Sequence, residues 1–115
     1  MGKRRRPELS EYKGMWLFAL FDLPVKTSID RKNYSRFRTA LLKQGFSMLQ
    51  FSVYARYSGS EERGDSIIQK VKQQLPPYGQ VRLMLVTDHQ FGKMEVFNGK
   101  KKAKTEEPPA QLLLF

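Results

Sequence analysis

One stretch dominates the hydrophobic pattern. Met15–Phe21, read Met-Trp-Leu-Phe-Ala-Leu-Phe, is apolar without a break and closes on Asp22-Leu23-Pro24. A run this short and aromatic, ended by a turn signal, predicts a central strand buried on both faces, because a half-exposed strand would alternate apolar with polar. The period then changes to that of a helix. Thr27-Ser28 offers an N-cap, Asp30 sits in the first turn, and Tyr34, Phe37, Leu41 and Leu42 recur at helical spacing up to Gly45. Phe46–Tyr57 reads as a second strand with Leu49, Phe51, Val53 and Ala55 on one apolar face. Its other face carries Met48, Gln50, Ser52, Tyr54 and Arg56, large and mixed in polarity. Such a face suits a protein interface or a nucleic-acid surface, which makes Gln50, Ser52 and Tyr54 candidate interface residues.

A second helix is expected from Ser60-Glu61-Glu62, whose carboxylates complement the helix dipole, with Ile67, Ile68, Val71 and Leu75 as its buried stripe and Pro76-Pro77 as its stop. Gln80–Asp88 alternates as a third strand, and Asp88 ends it much as Asp22 ends the first. Residues 89–94 read as a loop, Glu95–Phe97 as a short extended piece, and Asn98-Gly99 as a turn. Strand, helix, strand, helix, strand, short strand is the split βαβ order of an α+β domain: an antiparallel sheet with both helices on one face. The sheet's other face then needs cover. A twofold copy would supply it, so the pattern predicts a homodimer packed through the sheets.

At 115 residues the chain suits one domain, and the pattern divides it into a basic leader over 1–13, the domain over 14–99, and a basic linker with a C-terminal docking strand over 100–115. The absence of cysteine excludes disulfides and thiolate zinc sites. No apolar stretch is long enough to span a bilayer and the basic N-terminus lacks the apolar region of a signal peptide, so a cytoplasmic protein without membrane contact is expected. A formal charge of +10 favours polyanions, nucleic acid above all. Three groups are candidates for phosphate contact: Lys3, Arg4, Arg5 and Arg6 in the leader; Arg31, Lys32, Arg36 and Arg38, with Lys43, on the first helix; and Lys100, Lys101 and Lys102. Gln111-Leu112-Leu113-Leu114-Phe115 is strongly apolar and is expected to complete a sheet edge, its own or that of a second chain.

Two residues carry candidate chemistry. A charge where a buried strand emerges is costly unless it is paired, hydrogen-bonded or bound to a cation, which singles out Asp22. The alternative is an aspartate that opens the Leu23-Pro24 turn. His89 is the only histidine, and with no nucleophile beside it in sequence it reads as a surface residue.

Trp16-Leu17-Phe18-Ala19-Leu20-Phe21-Asp22-Leu23-Pro24, Gln50-Phe51-Ser52-Val53-Tyr54 and Thr87-Asp88-His89-Gln90-Phe91, in this order and spacing, closely resemble motifs of the Cas2 family of small CRISPR-associated adaptation proteins. The version accompanying single-effector (type II) systems looks nearest, and the resemblance covers about Met15 to Gly99. It implies a ferredoxin-like homodimer that bridges two dimers of the CRISPR integrase, so that together they insert foreign double-stranded DNA fragments as spacers. It also implies a Mg²⁺-dependent endonuclease acting on RNA or DNA, with Asp22 matching the family's strand-end aspartate in the catalytic, metal-binding role. Two other readings share the topology: a stand-alone RNA-cleaving toxin-like nuclease, and an RNA-binding module. The latter lacks its Gly-aromatic signature in Val81–Thr87.

Overall fold

A computed structural model describes residues 14–109. In chain order it contains β1 (Met15–Asp22), α1 (Ser28–Lys43), β2 (Ser47–Gln50), β3 (Val53–Tyr57), α2 (Glu61–Lys72), β4 (Gln80–Thr87), α3 (Asp88–Gly92), β5 (Val96–Asn98) and β6 (Lys101–Ala103). The first four strands pair in the order β2-β3-β1-β4, all neighbours antiparallel. This is the expected α+β split βαβ architecture, and its sheet has one strand more than the three long strands that the pattern predicted.

The extra strand comes from a turn inside Phe46–Tyr57. Ser52 takes φ 63, a left-handed conformation that no continuous strand accommodates, and β2 folds back on β3 with Met48 opposite Tyr54 and Gln50 opposite Val53. A register shift between Met48 and Gln50 returns Leu49 to the side of Val53 and Ala55. Only Phe51 leaves the expected apolar face, standing 75% exposed at the turn. Gln50 and Ser52 therefore lie at a hairpin end and do not share a strand face with Tyr54.

β1 is the middle of the fold, flanked by β3 and β4 and buried along most of its length on both sides. Its odd-numbered residues, Leu17, Ala19 and Phe21, join Tyr54, Phe37 and Leu41 of α1 and Ile67 and Val71 of α2 in the main core. The even-numbered Trp16 and Phe18 join Ala55 and Phe91 in a second cluster, with Leu20, Leu49, Val53 and Val86 packed against it. The two faces thus differ from expectation in one respect: the mixed-polarity side of β3 is the one covered by the long helices. Tyr54 is 1% exposed there, its hydroxyl accepting from Arg38 Nε–H at 2.8 Å, which removes it as an interface residue. An amphipathic tyrosine can be buried in this way when its hydroxyl reaches a partner at the core's edge.

α1 begins at a capping box, Thr27 and Asp30 each accepting the other's backbone N–H, and α2 at the Ser60 hydroxyl. α2 ends at Lys72, earlier than its apolar pattern suggested, and Leu75 is left exposed. Asp88, expected to end the third strand, and residues 89–92, expected as loop, form α3, because Thr87 and Gln90 make a second capping box at the end of β4. The helix lays Phe91 flat on Trp16, centroids 3.9 Å apart, and so covers one end of the second sheet face. Residues expected as a basic linker form β6, paired with β5 across a turn at Gly99, φ 64.

Candidate functional site

The C-terminal end of β1 is held from three sides. Gly79, at φ 94, lets β4 start against it: a Cβ there would fall 2.6 Å from the Asp22 carbonyl oxygen, so glycine alone permits the approach. On the other side Phe21 N–H donates to the Ser52 carbonyl at 3.1 Å, tying the hairpin turn to the strand end. Beyond Asp22 the chain is clamped by Arg31, whose guanidinium donates to the carbonyls of Val25 at 3.3 Å and Lys26 at 3.0 Å.

Asp22 is exposed, and the alternation of β1 puts it on the second sheet face with Trp16, Phe18 and Leu20. Register places Gln80 directly opposite Asp22, and Arg82 opposite Leu20, on that same face. Arg82 donates to Gln80 Oε1 at 3.3 Å. The result is a small polar patch of carboxylate, amide and guanidinium at the end of the face that α3 leaves open. A carboxylate there offers a hard oxygen ligand, and a guanidinium nearby suits a phosphate oxygen.

Asp88 has a different job. It accepts from Trp16 Nε1–H at 2.8 Å and opens α3, so the two strand-end aspartates are not equivalent. His89 is exposed on α3.

The predicted phosphate contacts divide by geometry. Lys32 and Arg36, with Lys43, line a groove of about 490 Å³ on the outer side of α1, together with Ser35, Thr39 and Gln74. Arg31 and Arg38 lie outside this groove, each with part of its guanidinium bonded, Arg31 to the loop carbonyls and Arg38 to Tyr54. Lys100, Lys101 and Lys102 are exposed along the β5–β6 hairpin. Lys3, Arg4, Arg5 and Arg6, and Leu112, Leu113, Leu114 and Phe115, lie outside the described residues.

Residues 15–94, from β1 through α3, match the family model described as CRISPR associated protein Cas2. The chain belongs to the Cas2 family. Among its relatives are proteins named CRISPR-associated endoribonuclease Cas2 from Flavobacterium psychrophilum, 44% identical over 93% of this chain and 93% of the relative, and from Parvibaculum lavamentivorans, 45% identical over 88% and 100%. A third, of the same name, from Paracidovorax avenae, is 40% identical over 93% of this chain and 99% of its own. The matched span of this Cas2-family chain holds Asp22, Gln80 and Arg82 and stops before the β5–β6 hairpin.

Gln80 and Arg82 were not among the residues singled out by the sequence. What brings them to the face of Asp22 is the register of β4 on β1, Gln80 opposite Asp22 and Arg82 opposite Leu20, which no local pattern in the sequence sets. Among the described residues no group of three or more His, Cys, Asp or Glu could hold a metal. A Mg²⁺ site needs less, since that ion keeps several waters and binds through one or two carboxylates and substrate phosphates. One chain's Asp22 supplies one such carboxylate.

Proposed function

We propose that this Cas2-family chain works in CRISPR adaptation as a homodimer that bridges two integrase dimers during spacer insertion, and that the same dimer cleaves RNA or double-stranded DNA with Mg²⁺ held at Asp22. The observation that carries the reading is an exposed carboxylate ending a buried central strand, on a sheet face that also presents Gln80 and Arg82. The relatives' printed name, endoribonuclease, supports the substrate class.

The dimer is supported by the open part of that face, where Met84 is 47% exposed beside buried Phe18. A twofold copy would cover it and supply a second Asp22. In the cleavage reaction Asp22 holds the cation, Gln80 orients the polar patch through its bond from Arg82, and Arg82 meets a non-bridging phosphate oxygen. The ion, when bound, acidifies a water and neutralises phosphate charge. No helix among the described residues is long and apolar enough to cross a membrane.

Sedimentation and a cleavage assay on labelled single-stranded RNA and duplex DNA, in Mg²⁺ and in EDTA, test this. The proposal expects twice the chain mass and products only with the divalent ion. A monomer, or cleavage that ignores EDTA, would contradict it.

A further inference from the structure

The β2–β3 turn presents an aromatic ring that the reaction at Asp22 does not use. Phe51 is 75% exposed, the most exposed of the large hydrophobic side chains in the described residues. Its ring nevertheless has an aromatic seat. It stacks on Tyr34 with centroids 5.9 Å apart and planes 17° from parallel. Tyr34 in turn leans edge-on against Phe21 at 5.8 Å, and its hydroxyl hydrogen-bonds with Ser52 Oγ at 3.2 Å. Ser52 pays for this arrangement with its positive φ.

The surroundings say what the ring is for. Tyr34 lies on α1 between Arg31 and Arg38, three residues before and four after it, a spacing that places both cations along its side of the helix. Each guanidinium is anchored, Arg31 by loop carbonyls and Arg38 by the Tyr54 hydroxyl. With five N–H donors apiece, both keep donors for an anion. An open ring backed by a second ring, whose helix carries two anchored cations one turn to either side, matches the combination that holds single strands: base on aromatic, phosphate on arginine. Exposed apolar contact with another protein would not call for cations on both sides.

We infer that Phe51, seated on Tyr34, is a stacking platform for an unpaired base of single-stranded nucleic acid or of a frayed duplex end. The inference rests on the proposed nucleic-acid cleavage and extends it to substrate positioning, because the Phe21–Ser52 hydrogen bond joins the platform's turn directly to the strand that ends in Asp22. Paired bases inside a duplex do not expose a face to such a ring, so the site selects for unpaired strand.

The test is binding of a single-stranded RNA carrying 2-aminopurine to the full chain in EDTA, where cleavage is off. Wild type is expected to bind and quench the probe. F51A should weaken binding about five- to hundredfold and abolish the quench. The slope of affinity against salt should stay the same, since no phosphate contact is lost. F51W should retain both binding and quench, while F51L should behave like F51A because it keeps apolar bulk without a π-face. Wild-type affinity in F51A, full rescue by F51L, or a change of sedimentation in F51A would overturn the platform, the last assigning Phe51 to a contact between copies. If wild type neither binds nor cleaves RNA, the proposed function falls as well. If wild type binds and F51A matches it, only the platform falls.

Discussion

Replacing Tyr54 with alanine distinguishes a hairpin from a single long strand over Phe46–Tyr57. In the hairpin Tyr54 is 1% exposed, packed on Phe21 with ring centroids 5.6 Å apart and enclosed with Phe37 and Leu41 under the long helices. Truncating a buried aromatic to alanine costs about 3–5 kcal/mol. Against the ~5–15 kcal/mol that holds a small domain together, this is a large fraction. With a urea m-value of roughly 2 kcal/mol/M, the unfolding midpoint should fall by about 2 M with the slope unchanged. The milder Tyr54→Phe removes only the hydroxyl that Arg38 donates to, at the core's edge where water can replace it, and should cost about 1 kcal/mol. Both are read by urea titration followed by far-UV circular dichroism, at two protein concentrations tenfold apart. The loss should be the same at both, because it belongs to the fold of one chain. A Tyr54→Ala protein with the wild-type midpoint that instead sediments as a monomer would refute the placement and restore Tyr54 to an interface.

Phe91→Ala should remove the cover from Trp16, shifting the emission of the chain's single tryptophan to the red and costing about 3–5 kcal/mol; unchanged emission would mean that α3 does not seal the second face. Burial, with Asp88 second, raises the Tyr57 hydroxyl above its ordinary pKa. The folded chain therefore keeps a proton that the unfolded chain loses near pH ~10, and this contribution to stability is complete below that pH and lost as pH rises through the folded value. The melting temperature should thus drop less in Tyr57→Phe than in wild type as pH rises above about 10, and parallel curves would contradict the assignment. Substituting Lys32, Arg36 and Lys43 together with alanine should weaken binding to nucleic acid of any sequence and lower the salt slope by up to about 2–3, whereas an unchanged slope would make the groove on α1 a solvated face.

Much of the fold was legible because its signals were local. The unbroken apolar run announced β1, Thr27 with Asp30 announced the start of α1, and alternation announced β4. What escaped was set by single residues whose effect is geometric. A serine at φ 63 gives no turn signature as a glycine would, and it split one strand into two and turned Tyr54 inward. The capping box of Thr87 and Gln90 spans only one helical turn, too short for any periodicity to show α3. Lys100–Lys102 looked like a linker because charge hides strand character, while the pairing of Val96 with Ala103 is visible only in three dimensions. At the site, Asp22 stood out because a charge ending a buried strand is rare. Gln80 and Arg82 became its neighbours only once the register of β4 was known.

The central claim is that Asp22 serves cleavage while the surface of the dimer serves spacer insertion. Cleavage of single-stranded RNA in Mg²⁺, and insertion of a duplex DNA fragment into a repeat by the complex with the integrase, should be measured side by side for wild type and Asp22→Ala. Asp22 is exposed at the end of its strand, so its loss should leave the fold intact. The account predicts that the variant loses cleavage by a hundredfold or more, on the order expected for removing a metal ligand, and inserts at the wild-type rate. Cleavage that persists in the variant, or insertion that collapses while the dimer stays folded, would contradict it.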